Sequence, residues 1–529
     1  TLADLARDTF TALRDGTPLS SRGDVDSAPR SVVVSWTNGA APAISVLDSG
    51  SGVAGAIASA IDRLRPSVQP DLTWGVAIDV ITRVEPIEPG TAVRLGTGDG
   101  LAFGDGELVL LPAQLTARGW IGPGRVFAPP ALDRTYSRPT HRFSSVTAVS
   151  SGGNGIPFEN GHPATDVGIR STPEILNESL DRATAYLSSI VDEVGRFIYH
   201  VDTATGQMEP SYNLARHAGT LEQLLQLHAR NPSDRTRIAS ERALALLLEQ
   251  RITVSTSAGQ RLEVVAEDGQ IRLSAVALAI LACLRAAEVL ELREALDAAR
   301  DMASYLVSLQ HEDGRYEPHV ATVGGVALPG VSPYAPGEAD LALIRLHAAT
   351  REPRWRDAAL RNIDYLIRVR DADDAEPPHD HWLMYAIDAL YSDPDSGSVP
   401  PPHLQKAEQI ALSIIESQIR EPGLESGGWP APGGVRTAPV ATRAEALFAG
   451  HRLFAAMGLA DLAKATSDAG RRAVEYLLRV QIRPETAIHR RVPRSFVGGF
   501  PSSLDADDVR IDFVQHAAAA IQALQHTLP

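Results

Sequence analysis

One pattern recurs along the last two thirds of this chain and limits what it can become. "AYLSSIVDEVGRFIYHVD" begins near residue 185, "SYLVSLQHEDGRYEPHV" near 304, "DYLIRVRDADDAEPPHD" near 364 and "EYLLRVQIRPETAIHRRVPRSFVGGF" near 475. "IIESQIREPGLESGGWPAP" near 414 has the same form, and "ALLLEQRITVSTSAGQRLEVV" near 245 is a degenerate copy. Each is the end of a helix followed by a loop that carries glycine and an aromatic residue. A second helix follows every copy: "YNLARHAGTLEQLL", "RLSAVALAILACLRAAEVL", "YAPGEADLALIRLHAA", "HDHWLMYAIDALY", "ATRAEALFAGHRLF" and "VRIDFVQHAAAAIQAL". One helix pair cannot bury its apolar face alone, so neighbouring copies must stack. Stacked openly they make a solenoid, whose helical repeats usually run about 33 to 47 residues. Six pairs at a period near 60 fit a closed ring better.

Such a ring is an (α/α)6 toroid, with the six second helices inside and the first helices wrapped around them. All inner helices then start at one end, and their first turns converge on a central cavity. Helix one brings Tyr212, Asn213, Arg216 and His217; helix three brings Tyr334, Glu338 and Asp340. Helix four brings His379, Asp380, His381 and Trp382, and helix five brings Arg443 and Glu445, with Trp429 in its loop. Helix six brings Arg510, Asp512 and His516, with Phe500 before it, whereas helix two carries almost nothing charged. Singly, each has an ordinary structural use: Glu338 suits the positive end of its own helix, Arg216 can pair across the ring, and Trp382 and Trp429 can be packing. Together they suit a polar, hydroxylated ligand.

Two chemistries fit this set. Inverting glycoside hydrolysis needs two carboxyl groups about 6.5 to 9.5 Å apart, and Glu338, Glu445 and Asp512 on three inner helices are the candidates for that acid–base work. Sugar epimerisation needs bases on opposite faces of one carbon, which His217, His381 and His516 could supply. Tyr212, Asn213, Arg216, His217, His381, Trp382, Trp429, Arg443 and His516 are expected to bind substrate or share in proton transfer. Arg216, Arg443 and Arg510 would suit an acidic sugar.

Residues 1–135 differ from the rest. "PRSVVVSWTNGAAPAISVLDSG", "WGVAIDVITRVEPI" and "GELVLLPAQL" are short β-branched runs, mixed with helical "LADLARDTFTALRDG" and "GVAGAIASAIDRL"; this predicts a small α+β domain. Residues 136–170, rich in Ser, Gly, Pro and Asn, read as a linker, and 171–529 as the toroid. The net charge of −16 argues against nucleic acid or anionic membrane as the main partner. Cys283 is the single cysteine, which rules out a disulfide or a cysteine metal cluster within this chain. No apolar run reaches the roughly 18 residues of a membrane span. The chain starts at Thr1, which leaves a removed signal peptide open; cytoplasmic location is slightly favoured.

The layout and residue types resemble the six-hairpin carbohydrate-active enzymes: (α/α)6 glycosidases, uronate epimerases with a helical toroid, and the N-acylglucosamine and cellobiose 2-epimerases. The resemblance covers roughly residues 170–529. It implies a carbohydrate-active enzyme without a cofactor, a glycoside hydrolase first and an epimerase second, and assigns no role residue by residue. In the N-terminal part, "LARDTFTAL", "AIDVITRVEPI" and "GTGDGLAFGDGELVLLPAQLTARGW" resemble the AMMECR1-like fold. "LDADDVRID", with Asp505, Asp507 and Asp508, is similar to the DxDD motif of class II terpene cyclases. Aromatic residues at 5% of the chain argue against that chemistry, which needs ring faces for carbocations. His379, Asp380 and His381 in "HDHW" could chelate, but no helical HExxH is present, and no metal is expected. A glycan-binding toroid without catalysis is the non-enzymatic alternative.

Overall fold

The computed structural model describes residues 2–19, 29–37, 44–68, 74–88, 95, 98–103, 108–117, 139–151, 156–159, 162–163, 170–255, 259–372, 378–393, 398–490 and 492–528. It divides into two compact units, one of Thr1–Ile169 with Thr203–Thr205 and Ile482–Val497, the other of Arg170–Asp202, Gly206–Gln481 and Gly498–Pro529.

The first unit holds α1 (Leu2–Asp15), β1 (Pro29–Thr37), β2 (Ile44–Ser51), α2 (Gly52–Leu64), β3 (Gly75–Pro86), β4 (Asp99–Phe103), β5 (Leu108–Leu110), α3 (Pro112–Ala117), β6 (Pro139–Ser150), β7 (Ile156–Glu159) and β8 (His162–Pro163). The sheet runs β2-β1-β3-β6-β4-β5, with β7 paired to β6 and β8 to β7, and its strands pair antiparallel. Phe10 of α1 and Ile57 and Ile61 of α2 close over Val32, Trp36 and Ile78 to make its main core. The stretch read as a linker behaves otherwise, because β6 pairs with both β3 and β4. Its hydroxyl residues are strand residues: Thr147 donates to the buried Asp79 at 2.6 Å, while Phe143, Ala148 and Val149 go to the core. β-branched and small hydroxylated side chains fit a pleated surface, which composition alone cannot tell from a linker.

The second unit is built from α4 (Pro173–Ser189), β9 (His200–Asp202), α5 (Leu214–Arg230), α6 (Asp234–Glu249), β10 (Arg251–Ser255), β11 (Arg261–Val265), β12 (Gln270–Arg272), α7 (Leu273–Val289), α8 (Arg293–Ser308), β13 (Val320–Thr322), α9 (Ala335–Thr350), α10 (Pro353–Tyr365), α11 (His381–Tyr391), α12 (Pro401–Glu416), α13 (Thr437–Ala456), α14 (Ala460–Val480), β14 (Asp508–Arg510) and α16 (Ile511–Thr527). The helix between α14 and β14, α15 (Pro484–Arg490), belongs to the first unit, where Ile488 packs with Ala77, Val149 and Phe158.

Inner helices α5, α7, α9, α11, α13 and α16 each pack on the next, and α16 packs back on α5, so the ring closes. Pairing of β9 with β14 stitches the first repeat to the last. Two more seam bonds join Gln223 to Gln522 at 3.1 Å and Ser179 to Gln481 at 2.8 Å. Helices α7 and α13 are apolar on nearly all sides, as a helix surrounded by others must be. Outer helix α14 buries one alanine-rich face, including Ala463, Ala469 and Ala473.

The glycine of each loop has a shared reason. Gly314 (φ +98°) and Gly427 (φ +88°) lie where a Cβ would collide with the carbonyls of Arg361 and Arg472 on the next outer helix. Glutamines fasten the same joint: Gln310 Nε2 donates to the carbonyls of Gly314 and Ala358 at 3.0 and 2.8 Å, and Gln418 Nε2 to those of Gly427 and Ala469, both at 3.0 Å. The recurring Gln and Gly are therefore a bracket between successive outer helices. Only glycine takes this backbone conformation and this closeness without strain.

Candidate active site

At the mouth of α5 much of the expected chemistry is spent on structure. Asn213 caps the helix, accepting from the Arg216 backbone amide at 3.0 Å. The Tyr212 hydroxyl accepts from the Phe197 amide at 3.2 Å and, 2.7 Å away, donates to Nδ1 of His217. His217 Nε2 then donates to the Ala243 carbonyl of α6 at 2.9 Å. Burial pushes this imidazole down to about 4, so it is a neutral strut between inner and outer helices. Asp340 is similarly spent, accepting from Tyr316 at 3.2 Å and Asn362 at 2.7 Å.

Arg216 reaches across the seam to Asp512 at 3.1 Å and also meets the Tyr199 hydroxyl. Arg510 grips the same carboxylate twice, at 2.6 and 3.0 Å. With both oxygens taken by guanidiniums, Asp512 clamps α5 to α16. Arg443 donates to His379 Nδ1 at 2.8 Å, and His379 Nε2 donates on to Ser413 at 3.0 Å. Burial, helped by Arg443, pushes His379 down to about 4. Trp429, 3% exposed, donates its indole N–H to the Ile414 carbonyl at 2.8 Å, with Arg443 5.4 Å over its ring. Asp380 caps α11 through the Trp382 and Leu383 amides, each at 3.1 Å. Asp508 is tied to Ser502 at 2.5 Å and His200 at 3.2 Å within the seam.

What converges is a cluster on α9, α11, α13 and α16. His516 Nδ1 lies 2.8 Å from Glu445 Oε1, and Tyr385 donates to Glu445 Oε2 at 2.9 Å. The rings of His381 and His516 meet edge to face at 5.5 Å. His381 Nε2 and Glu338 Oε2 are buried without a hydrogen-bond partner among the described residues. Buried polar atoms nearly always have partners, and exceptions ask for a reason. The two imidazoles are driven apart in basicity. Burial, helped by the nearby His516, holds His381 well below the ordinary histidine range. Burial also opposes charge on His516, but Glu445, Asp512 and Glu338 outweigh it and raise His516. Glu338 is pushed up to about 8, first by burial and then by Asp380, against the pull of His516.

Glu338, His381, Glu445 and His516 were legible in the sequence; Tyr385 was not singled out. Its signal was present, since it stands four residues after His381 and so shares its helix face. His381, Glu445 and His516 offer ligand atoms within 4.8 Å of one another, so the trio could meet a metal ion. Such an ion would have to displace the proton that His516 shares with Glu445.

A cavity of about 700 Å³ lies along the ring axis, with Trp382, Tyr385 and Glu445 among its walls. Most of its lining comes from the second and later turns of the inner helices, including Glu222, Arg285, Arg345 and Arg452, rather than from the expected first turns. The room exists because Gly219, Ala348, Ala349, Ala519 and Ala523 face it.

No family model matches the sequence, and no curated protein matches it. Among solved structures, a D-mannose isomerase is similar over 68% of this chain and 100% of its own, at 15% identity and a TM-score of 0.49. Cellobiose 2-epimerase from Spirochaeta thermophila is similar over 68% of this chain and 97% of its own, at 16% identity and 0.47. An unsaturated glucuronyl hydrolase specific for heparin is similar over 67% and 98%, at 12% identity and 0.48. Their activities stay with those proteins. The closed ring of six inner helices, each preceded by an outer one, makes the second unit of this chain an (α/α)6 toroid.

Proposed function

We propose that the toroid is a carbohydrate-active enzyme that moves a proton at a sugar carbon, as an epimerase or an aldose–ketose isomerase. The observation that carries this is the His381–His516 pair: one buried imidazole with a nitrogen unpartnered among the described residues, facing another whose protonated form Glu445 favours. Neutral His381 would take the proton from the carbon beside the carbonyl of an open-chain sugar. The electron pair of that C–H bond forms the enediol double bond, and His516 gives its proton to the carbonyl oxygen. Return of that proton by His381 to the neighbouring carbon, as the other enediol hydroxyl gives its proton back to His516, yields the isomer; return to the original carbon after the enediol has turned its other face, as the first hydroxyl reprotonates His516, yields the epimer. Two imidazoles whose basicities are driven in opposite directions are what such acid–base work needs. Tyr385 and Glu445 would hold the pair in register, with Trp382 against the sugar face.

Hydrolysis of a glycosidic bond is the second reading, favoured by one observation. Glu338, raised to about 8, is protonated at neutral pH and could serve as the general acid, with Glu445 as the base. Asp512 fits neither scheme as a proton carrier, because two guanidiniums occupy it. The test is incubation of the full chain in D2O with aldoses and disaccharides, followed by NMR. Deuterium at C2 without cleavage supports proton transfer at carbon. New reducing ends without label support hydrolysis, and neither result with any sugar rejects both.

A further inference from the structure

The cavity extends toward the end of the ring where inner helices pass to outer ones through short connections, Asn231–Ser233 after α5 and Arg351–Glu352 after α9. Glu222, Glu288, Arg285, Arg345 and Arg452 all line it. Arg285 is matched by Glu288 at 2.6 Å and Glu222 at 3.5 Å, and Arg452 by Asp388 at 2.5 Å. Arg345, also on the wall, makes no hydrogen bond or ion pair among the described residues. Arg345 is an exposed residue on that wall, and Asp388 and Glu222 act on it through space without pairing with it. Its N–H donors are therefore left for an oxyanion. Carboxamides of Gln223, Gln515 and Gln522 share the walls with Leu278 and Leu281, a mixture suited to a body bearing both hydroxyls and C–H faces. A volume of about 700 Å³ falls within the roughly 300–1,000 Å³ of small-molecule pockets.

We propose that this chamber binds a small hydroxylated anion, its carboxylate or phosphate held by the planar fork of Arg345. This goes beyond the proton-transfer chemistry: the anchor is a different residue at the opposite end of the inner helices, and the claim concerns binding, not turnover. Arginine suits the task because its fork matches both oxyanions bidentately.

The experiment is calorimetric titration of the full-length chain with glucuronate, glucose 6-phosphate, glucose and inorganic phosphate. At least one sugar anion is expected to bind at least about tenfold tighter than glucose. Comparing the two sugar anions separates carboxylate from phosphate, and inorganic phosphate reports whether the hydroxylated body contributes. In Arg345→Gln the advantage of the anion is lost; in Arg345→Lys, which keeps the charge without the fork, part of it remains. Melting curves of both variants check folding, and Arg345→Lys carries the test if Arg345→Gln is unfolded. Repeating the titration with His381→Asn separates the two proposals, since that change should abolish turnover and leave anion binding intact. Anion binding that is unchanged in Arg345→Gln, or no binding of any anion to the unmodified chain, overturns the proposal.

Discussion

Nδ1 of His516 sits 2.8 Å from Oε1 of Glu445, joining the neighbouring inner helices α16 and α13. Because a carboxylate only accepts, the imidazole N–H donates, and the carboxylate favours the protonated imidazole against the opposing effect of burial. Glu445→Gln should therefore lower the basicity of His516 and cost about 10²–10³-fold in kcat. The stability effect has a definite direction. A histidine raised in the folded state contributes stability that is present below its unfolded value of about 6.5 and is lost as pH rises through the folded value. Thermal melts from pH 5 to 9 should show that slope in the wild type and a weaker one in Glu445→Gln. Matching slopes would count against the pair.

Glu338 is shifted in the same direction as His516. Its folded value of about 8 lies above the unfolded one, so the folded state holds an extra proton between about pH 4.3 and 8. Stability should fall as pH rises through that window. Glu338→Gln, which stays neutral, should be more stable than wild type at pH 8, by on the order of 1–3 kcal/mol. Its activity separates the two chemistries: hydrolysis would be lost, whereas proton transfer at carbon would survive in part.

His217 and Tyr212 offer a structural contrast. Tyr212→Phe removes the hydroxyl between the Phe197 amide and His217, so it should cost about 1–3 kcal/mol in stability. Under conditions where the protein is fully folded, kcat/KM should stay within about twofold, since no proton transfer uses this pair. A loss of several hundredfold without destabilisation would place His217 in the chemistry instead.

Gly427→Ala should be among the most damaging small changes. It combines a positive φ with a collision against the Arg472 carbonyl and should cost roughly 2 kcal/mol or more. Gly433, also at positive φ, has open space around it; Gly433→Ala should cost less. Denaturant midpoints would rank the two.

Asp507→Asn tests the cyclase-like motif. Its neighbour Asp508 is engaged with Ser502 and His200 at the ring seam. Sugar turnover should be unaffected, and prenyl diphosphates should not be consumed. Dialysis against EDTA should likewise leave activity intact, because the His516–Glu445 proton occupies the trio that could otherwise approach a metal.

The repeat of helix, Gly-bearing loop and helix, read from sequence, determined the ring, because six amphipathic pairs have no other way to bury their faces and close. The same reading located Glu338, His381, Glu445 and His516, since helix starts at one end must converge. It could not say which polar residues are consumed by the fold. Tyr212 and His217 are bound to a loop amide and the carbonyl of another helix, and Asp512 to two arginines, partners far apart or unpatterned along the chain. Nor could it distinguish β6 from a linker, because strand pairing is decided by neighbours remote in sequence. Tertiary packing alone decided that Arg345 pairs directly with no carboxylate among the described residues and that small side chains leave a chamber beside it. Charge balance and empty volume are properties of what surrounds a residue in space, and the order of residues along the chain does not carry them.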